Sequence, residues 1–239
     1  MSRLHALLLD LDETLLDGSV FPQSIAQTCE ELALLRPELE AKRLQEANHA
    51  VFSTYGPERH DAWTLGRLSG ADLTLESWRR TLQLCGYNDE SLAQFAANTH
   101  LRFAWDSYQP FTDVAGLISA VRQARVPVAL VTNGASDTQR HKIEAMGIAS
   151  WFSAFSISGE TGAAKPDKRA FTVVLKALGV SGKKVWHVGD SLAADVAGAN
   201  AAGLSSVWLN RDGTVRTKKD AQPDLEITSL SELAPYLLP

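Results

Sequence analysis

The chain has 239 residues, 45% of them hydrophobic and 21% charged, which suits one large folded domain or a core with a smaller insert and excludes a disordered, coiled-coil or fibrous protein. Lys and Arg total 23 against 28 Asp and Glu, a formal charge of -5, which repels the phosphate backbone of a nucleic acid and removes that class of partner from the expectation. Cys29 and Cys85 lie in helix-like stretches without a CxxC or Cys/His spacing, as free buried thiols of a reducing compartment do.

In chain order, Leu4 to Leu9 is a short apolar run that stops abruptly at acidic and turn-forming residues, the pattern of a fully buried parallel strand. The amino-terminal apolar run is too short and too charged for a signal peptide, and no stretch approaches a membrane span, so a cytoplasmic protein without membrane contact is expected. From 17 to 104 the pattern predicts helices near 22–35, 37–54, 73–85 and 89–104 and no strand, with Pro22, Pro37 and a Tyr55-Gly56-Pro57 turn as punctuation. After Pro110 helices and Val-rich runs alternate: strands are predicted at 126–131, 152–157, 184–188 and 205–209, helices near 113–124, 137–146, 167–178 and 192–202, and a last strand and helix within 224–238. Gly147, Gly179 and Gly203 stand where a helix end needs a left-handed residue. One strand is therefore separated from the rest of its sheet by a helical block, which is a domain inserted into a domain.

Ligands of an open α/β sheet bind beyond the carboxyl ends of its strands. The polar residues there are Asp10-Leu-Asp12-Glu-Thr14, Thr132-Asn133-Gly134, and Gly189-Asp190-Ser191 with Asp195, while Lys165-Pro166 lies between the second and third groups. Carboxylates and a lysine gathered at one sheet edge call for a charged guest, and a hard divalent cation with a phosphate meets that need. A phosphate-binding loop is rejected because Lys165 follows Ala164 and precedes Pro166, and GANAAG at 198–203 lacks the middle glycine of a dinucleotide fingerprint. His187, inside an apolar strand, reads as a core or strand-end histidine.

DLDETLLD, VTNG, AAKPDKRAF and VGDSLAADVAGANAAG, in this order across 7–203, resemble the four motifs of the haloacid dehalogenase superfamily. Glu13 stands where that family frequently has Gly. The resemblance implies an α/β, doubly wound, mostly parallel Rossmann-like core sheet formed by 1–16 and 105–239, with an α-helical cap domain inserted at 17–104. It implies a phosphatase that hydrolyses a small phosphate monoester through an aspartyl-phosphate: Asp10 as nucleophile, Asp12 as general acid and base, Lys165 neutralising charge, and Thr132 and Asn133 with Lys165 holding the phosphoryl group. It also implies Mg²⁺ held by Asp10, the Asp12 carbonyl, Asp190 and Asp195. A small phosphorylated metabolite is the expected partner of a monomer or homodimer.

Arg59, His60, Trp63 and Arg67, in what reads as the least regular part of the cap, are candidates to touch substrate, although a solvated helix face describes any one of them better. The same superfamily carries out other chemistries. The dehalogenases lack an acid two residues after the nucleophile, whereas Asp12 is present; a phosphonatase uses a cap lysine, and Lys42 reads as solvent-facing; a phosphosugar mutase shares all four motifs.

Overall fold

The computed structural model describes residues 4–237; 1–3, part of the amino-terminal run, and 238–239 lie outside the described residues. Six strands form one parallel sheet: β1 (Ala6–Leu9), β2 (Val128–Thr132), β3 (Ala154–Ile157), β4 (Val185–Gly189), β5 (Ser205–Leu209) and β6 (Leu225–Ile227), in the order β3-β2-β1-β4-β5-β6. The strand order reverses at β1, so the crevice of this sheet opens beside the carboxyl ends of β1 and β4.

β1 is buried along its whole length because both faces are covered. Leu7 and Leu9 point into a core shared with Val128 and Leu130 of β2 and with Leu117, Ile118 and Val121 of α5 (Val114–Ala124). Ala6 and Leu8 point the other way, against Ala129, Val131 and the Phe171 and Val174 side chains of a helix introduced below. This period-2 alternation between two apolar faces makes the first run read as continuous hydrophobicity.

Between β1 and α5 the chain forms α1 (Phe21–Leu35), α2 (Ala41–Thr64), α3 (Gly70–Leu84) and α4 (Glu90–Ser107). Cys29, Leu32, Leu44, Trp78, Leu82, Leu92, Ala93, Ala96 and Ala97 give this bundle a core of its own. Ser69 caps α3 by accepting from the Asp72 amide, and Asp89 caps α4 by accepting from the Leu92 amide. Cys29 and Cys85 are free and buried, and burial pushes the Cys29 thiol up to about 12.

The remaining helices are α6 (Ser136–Ala145), the single turn α7 (Ser158–Thr161), α8 (Arg169–Leu178), α9 (Ala197–Ala201) and α10 (Ala234–Leu237). α8 carries Phe171 and Val174 onto one sheet face, and the expected last strand and helix are β6 and α10.

Two elements differ from the sequence reading. The Tyr55-Gly56-Pro57 turn is absent, because α2 runs through Pro57 to Thr64. Pro57 removes one backbone donor, and Ser53, whose carbonyl loses it, is exposed to water. Buried Tyr55 holds the segment to α3 through the Arg80 guanidinium stacked 4.0 Å from its ring centroid. Arg59, His60 and Trp63 therefore ride on regular helix. The second difference lies at 192–202, where the helix opens as a wide π-type turn over Leu192–Val196 before α9 begins. The Ser191 carbonyl accepts from both Asp195 N (2.8 Å) and Val196 N (3.2 Å). Such a turn re-aims a side chain, here that of Asp195.

Candidate active site

Asp10 follows β1 directly, and its amide donates to the Val188 carbonyl of β4 (3.0 Å), which fixes its backbone over the crevice. Lys165, reached through a cis Lys165–Pro166 bond, lies almost fully buried between two carboxylates. Its Nζ is 2.6 Å from Asp10 Oδ1 and 2.6 Å from Asp195 Oδ1. Asp195 Oδ1 also meets His187 Nε2 at 2.8 Å, and its Oδ2 accepts from the Ser191 amide at 3.0 Å. Gly189 lets this carboxylate come so close, since a Cβ there would overlap the Asp195 carboxyl group.

Asp10, Asp190 and Asp195 each offer a carboxylate oxygen within 4.8 Å of the others. Burial, then the Asp195 charge, pushes Asp10 well above the usual carboxylate range despite Lys165. The same two causes push Asp190 up to about 6. Burial opposes ionisation of Asp195, yet Lys165 and His187 together hold it below the ordinary range. Lys165 shows the converse: burial alone would favour its neutral form, and the Asp10 and Asp195 charges hold it above its ordinary value. One buried ammonium thus serves three carboxylates, and Asp10 and Asp190 are short of positive charge. A hard cation with oxygen ligands suits this donor set. Asp195, with both oxygens already partnered by the protein, is better placed to anchor Lys165 than to act as an open ligand.

Asp12 does not join that cluster through its side chain. Its Oδ1 is 2.6 Å from Lys142 Nζ and its Oδ2 accepts from Gln139 Nε2 at 2.9 Å, both from α6. Gln139 Nε2 also reaches Thr132 Oγ1 (2.6 Å) and the Asn133 carbonyl (3.2 Å). The Thr132 hydroxyl, in accepting from Gln139, keeps its own proton for another acceptor.

The Asn133 side chain meets the Lys165 backbone. Its Oδ1 accepts from the Lys165 amide (2.8 Å) and its Nδ2 donates to the Lys165 carbonyl (2.9 Å), so the side chain clamps the Lys165 backbone instead of being open to a phosphate. Glu13, in the position where the family frequently has glycine, has φ 54°, and its carboxylate folds back on Gly18. That left-handed conformation is the physical preference for glycine there. A cleft of about 690 Å³ lined by Glu13, Asp17, Asp190, Trp208 and Arg211 opens beside Asp190.

Of the four cap candidates, Trp63 alone reaches this region. Its Nε1 donates to Thr138 Oγ1 (3.4 Å), and a Cβ added to Gly134 (φ 147°) would stand 2.8 Å from its Cη2. Arg59, His60 and Arg67 are exposed, as is Lys42 at the start of α2.

Gln139, Lys142 and His187 are the site residues the sequence reading missed as such. His187, which reads from the sequence as a core or strand-end histidine, is buried and holds Asp195. A signal for the other two was available: α6 reads SDTQRHKIEA and buries Gln139, Lys142 and Ile143. A crossover helix with so little apolar surface turns polar groups inward, and residues three apart share a face.

The chain is similar to known proteins. The family model for haloacid dehalogenase-like hydrolases matches residues 4–203. N-acylneuraminate-9-phosphatase of Homo sapiens is 30% identical over an aligned length of 257 residues, covering 100% of this chain and 95% of that one. Phosphoserine phosphatase of Thermus thermophilus is 38% identical over 126 residues, 53% of this chain and 50% of that one, so the chain spans about half the length of that relative. Among solved structures, the HAD-hydrolase YfnB of Bacillus subtilis, bound to magnesium and described as revealing interdomain movement, superposes with a TM-score of 0.68 at 25% identity, covering 99% of each chain. With the family model spanning strands β1 to β4 and every motif that lines the crevice, the chain belongs to the haloacid dehalogenase-like hydrolases.

Proposed function

We propose that the protein is a phosphatase that hydrolyses a small phosphate monoester through an aspartyl-phosphate on Asp10, with 1–16 and 105–239 as catalytic core and 17–104 as cap. The observation that carries this reading is the division of labour between two carboxylates two residues apart. Asp10 is held against Lys165, whereas Asp12 is turned away to Gln139 and Lys142. A nucleophile and a separate proton carrier are what phosphate ester cleavage needs. A dehalogenase has no use for the second, and the exposed Lys42 leaves a phosphonatase without its cap amine.

In this reading an Asp10 oxygen forms a bond to phosphorus as the ester P–O bond breaks. The Asp12 carboxyl gives its proton to the departing alkoxide. The Asp12 carboxylate then takes a proton from the water that attacks the phosphoaspartate, releasing phosphate and restoring Asp10. Lys165 neutralises charge on the nucleophile and the phosphoryl group, the Thr132 hydroxyl donates to a phosphoryl oxygen, and Asn133 keeps Lys165 in place. Asp10, the Asp12 carbonyl and Asp190 would hold Mg²⁺, with Asp195 behind them, and the ion would supply the positive charge that Asp10 and the transferring phosphoryl oxygens lack. The relatives named as phosphatases of phosphoserine and of an N-acylneuraminate 9-phosphate support a small phosphorylated metabolite as substrate.

The test is phosphate release from an aryl phosphate, with and without a chelator, together with intact mass after quenching. Chelation should abolish turnover and Mg²⁺ restore it. Asp10→Asn should be inactive, folded and free of added phosphoryl mass, since an amide nitrogen has no lone pair available for attack. Phosphoenzyme found in Asp10→Asn would remove Asp10 as nucleophile.

A further inference from the structure

We propose that Lys142 is a positioning residue for the proton-transfer carboxylate: with Gln139 it holds the Asp12 side chain in one orientation toward the leaving-group oxygen. The inference rests on the phosphatase reading above and extends it to a residue of α6 that none of the four sequence motifs contains.

The geometry is a two-point grip. Each oxygen of the Asp12 carboxylate meets a different donor, Lys142 Nζ on Oδ1 at 2.6 Å and Gln139 Nε2 on Oδ2 at 2.9 Å, so rotation of the side chain breaks both contacts. The Lys142 side chain is 8% exposed and that of Asp12 31%, so the pair is closed on the protein side and open on Asp12's remaining face. An aromatic wall completes the Lys142 site, with Phe21 of α1 5.7 Å away at its ring centroid. A lysine is seldom placed so deep without a partner, because an uncompensated buried charge loses its hydration. Among the described residues Asp12 is the carboxylate that meets it.

The grip also connects distant parts of the chain. Asp137, Thr138 and His141, on the same short helix, contact the bundle: Asp137 accepts from the Gly70 and Ala71 amides, Thr138 from Trp63, and the His141 ring stacks on Trp105 at 4.2 Å. The helix that seats the cap thus seats the Asp12 carboxylate.

A purely structural ion pair and a positioning pair differ in what their loss does. Lys142→Met keeps length and removes charge and donor. Positioning requires that kcat on an alkyl phosphate fall about 10²-fold with KM little changed, a large part of the effect of a general acid. The single-turnover phosphorylation step on an aryl phosphate, whose leaving group needs little protonation, should change less than threefold. The Asp12→Asn/Lys142→Met double variant should be no slower than Asp12→Asn alone, because one group acts through the other. Equal losses on both esters, or losses that add to those of Asp12→Asn, overturn the inference. Should Lys142→Met fail to fold, Lys142→Gln, which keeps a donor without the charge, goes through the same cycle under the same criteria, with Lys142→Arg expected to regain part of the alkyl-ester rate. Asp12→Asn on its own reports on the parent reading: if it does not distinguish alkyl from aryl esters, Asp12 is not the proton carrier and the role of Lys142 falls with it. If Asp12→Asn distinguishes them and Lys142→Met does not, the phosphatase reading stands and Lys142 has no part in it.

Discussion

Asp195 is the residue on which the buried charge cluster turns. One oxygen of its carboxylate, Oδ1, meets both Lys165 and His187, and the π-type turn beginning at Leu192 brings it inward. It can sit there because Gly189 has no side chain. In Gly189→Ala the new methyl group must displace the carboxylate, an overpacking of about 1–3 kcal/mol, and Lys165 moves with it. Turnover should fall about 10²-fold or more, the usual scale for loss of one preorganised charge contact, while circular dichroism still reports a folded protein. A kcat within threefold of the parent would mean that Lys165 is placed without Asp195. His187 belongs to the same unit: burial keeps its pKa below the ordinary value, so it serves Asp195 as a neutral hydrogen-bond partner.

At the scale of elements, the cap bundle carries a proton-sensitive joint between α3 and α4. Trp78 Nε1 donates to His100 Nδ1 at 3.1 Å, with the two rings edge to face at 5.9 Å. The accepting nitrogen must be unprotonated, and burial lowers the His100 pKa from 6.5 to about 4. A folded-state value below the unfolded one means that the unfolded chain binds the proton first. The stability this histidine contributes is therefore complete above pH 6.5 and is lost as pH falls toward 4, a loss on the order of 3 kcal/mol for a group this deeply buried. Urea unfolding between pH 7 and 4 should show that decline in the parent. His100→Gln, which still accepts from Trp78 but does not titrate, should show a much flatter profile, and equal slopes would assign the acid sensitivity elsewhere.

For the whole molecule, the decisive contact is the seat of the helical bundle on α6 and α7. Asp137 Oδ1 and Oδ2 take the first two amides of α3 at 3.0 Å each, which places an anion at a helix N-terminus from across the interface. Ser158 Oγ donates to the Thr64 carbonyl at the end of α2. Asp137→Ala should cost about 1 kcal/mol, as removal of a cap does. It should raise amide exchange at residues 70–73 while leaving the sheet strands protected. Unchanged exchange there would mean that packing alone seats the cap.

The sequence by itself determined the parallel sheet, the interruption after β1 and the ordered row of polar residues at strand ends, because each is written locally: in apolar runs of strand length, in helix-stop glycines, and in carboxylates directly after those runs. Pro57 misled because a helix boundary depends on whether the freed carbonyl can meet water, which the local signal does not contain. The tertiary structure alone decided how the charges are shared. Asp10, Lys165 and Asp195 become one buried unit although 155 and 30 residues separate them along the chain. Asn133 becomes a clamp on the Lys165 backbone, and Asp12 is handed to Gln139 and Lys142, 127 and 130 residues away. Electrostatic pairing depends on distance and burial in three dimensions, and the spacing of residue types along a chain carries neither.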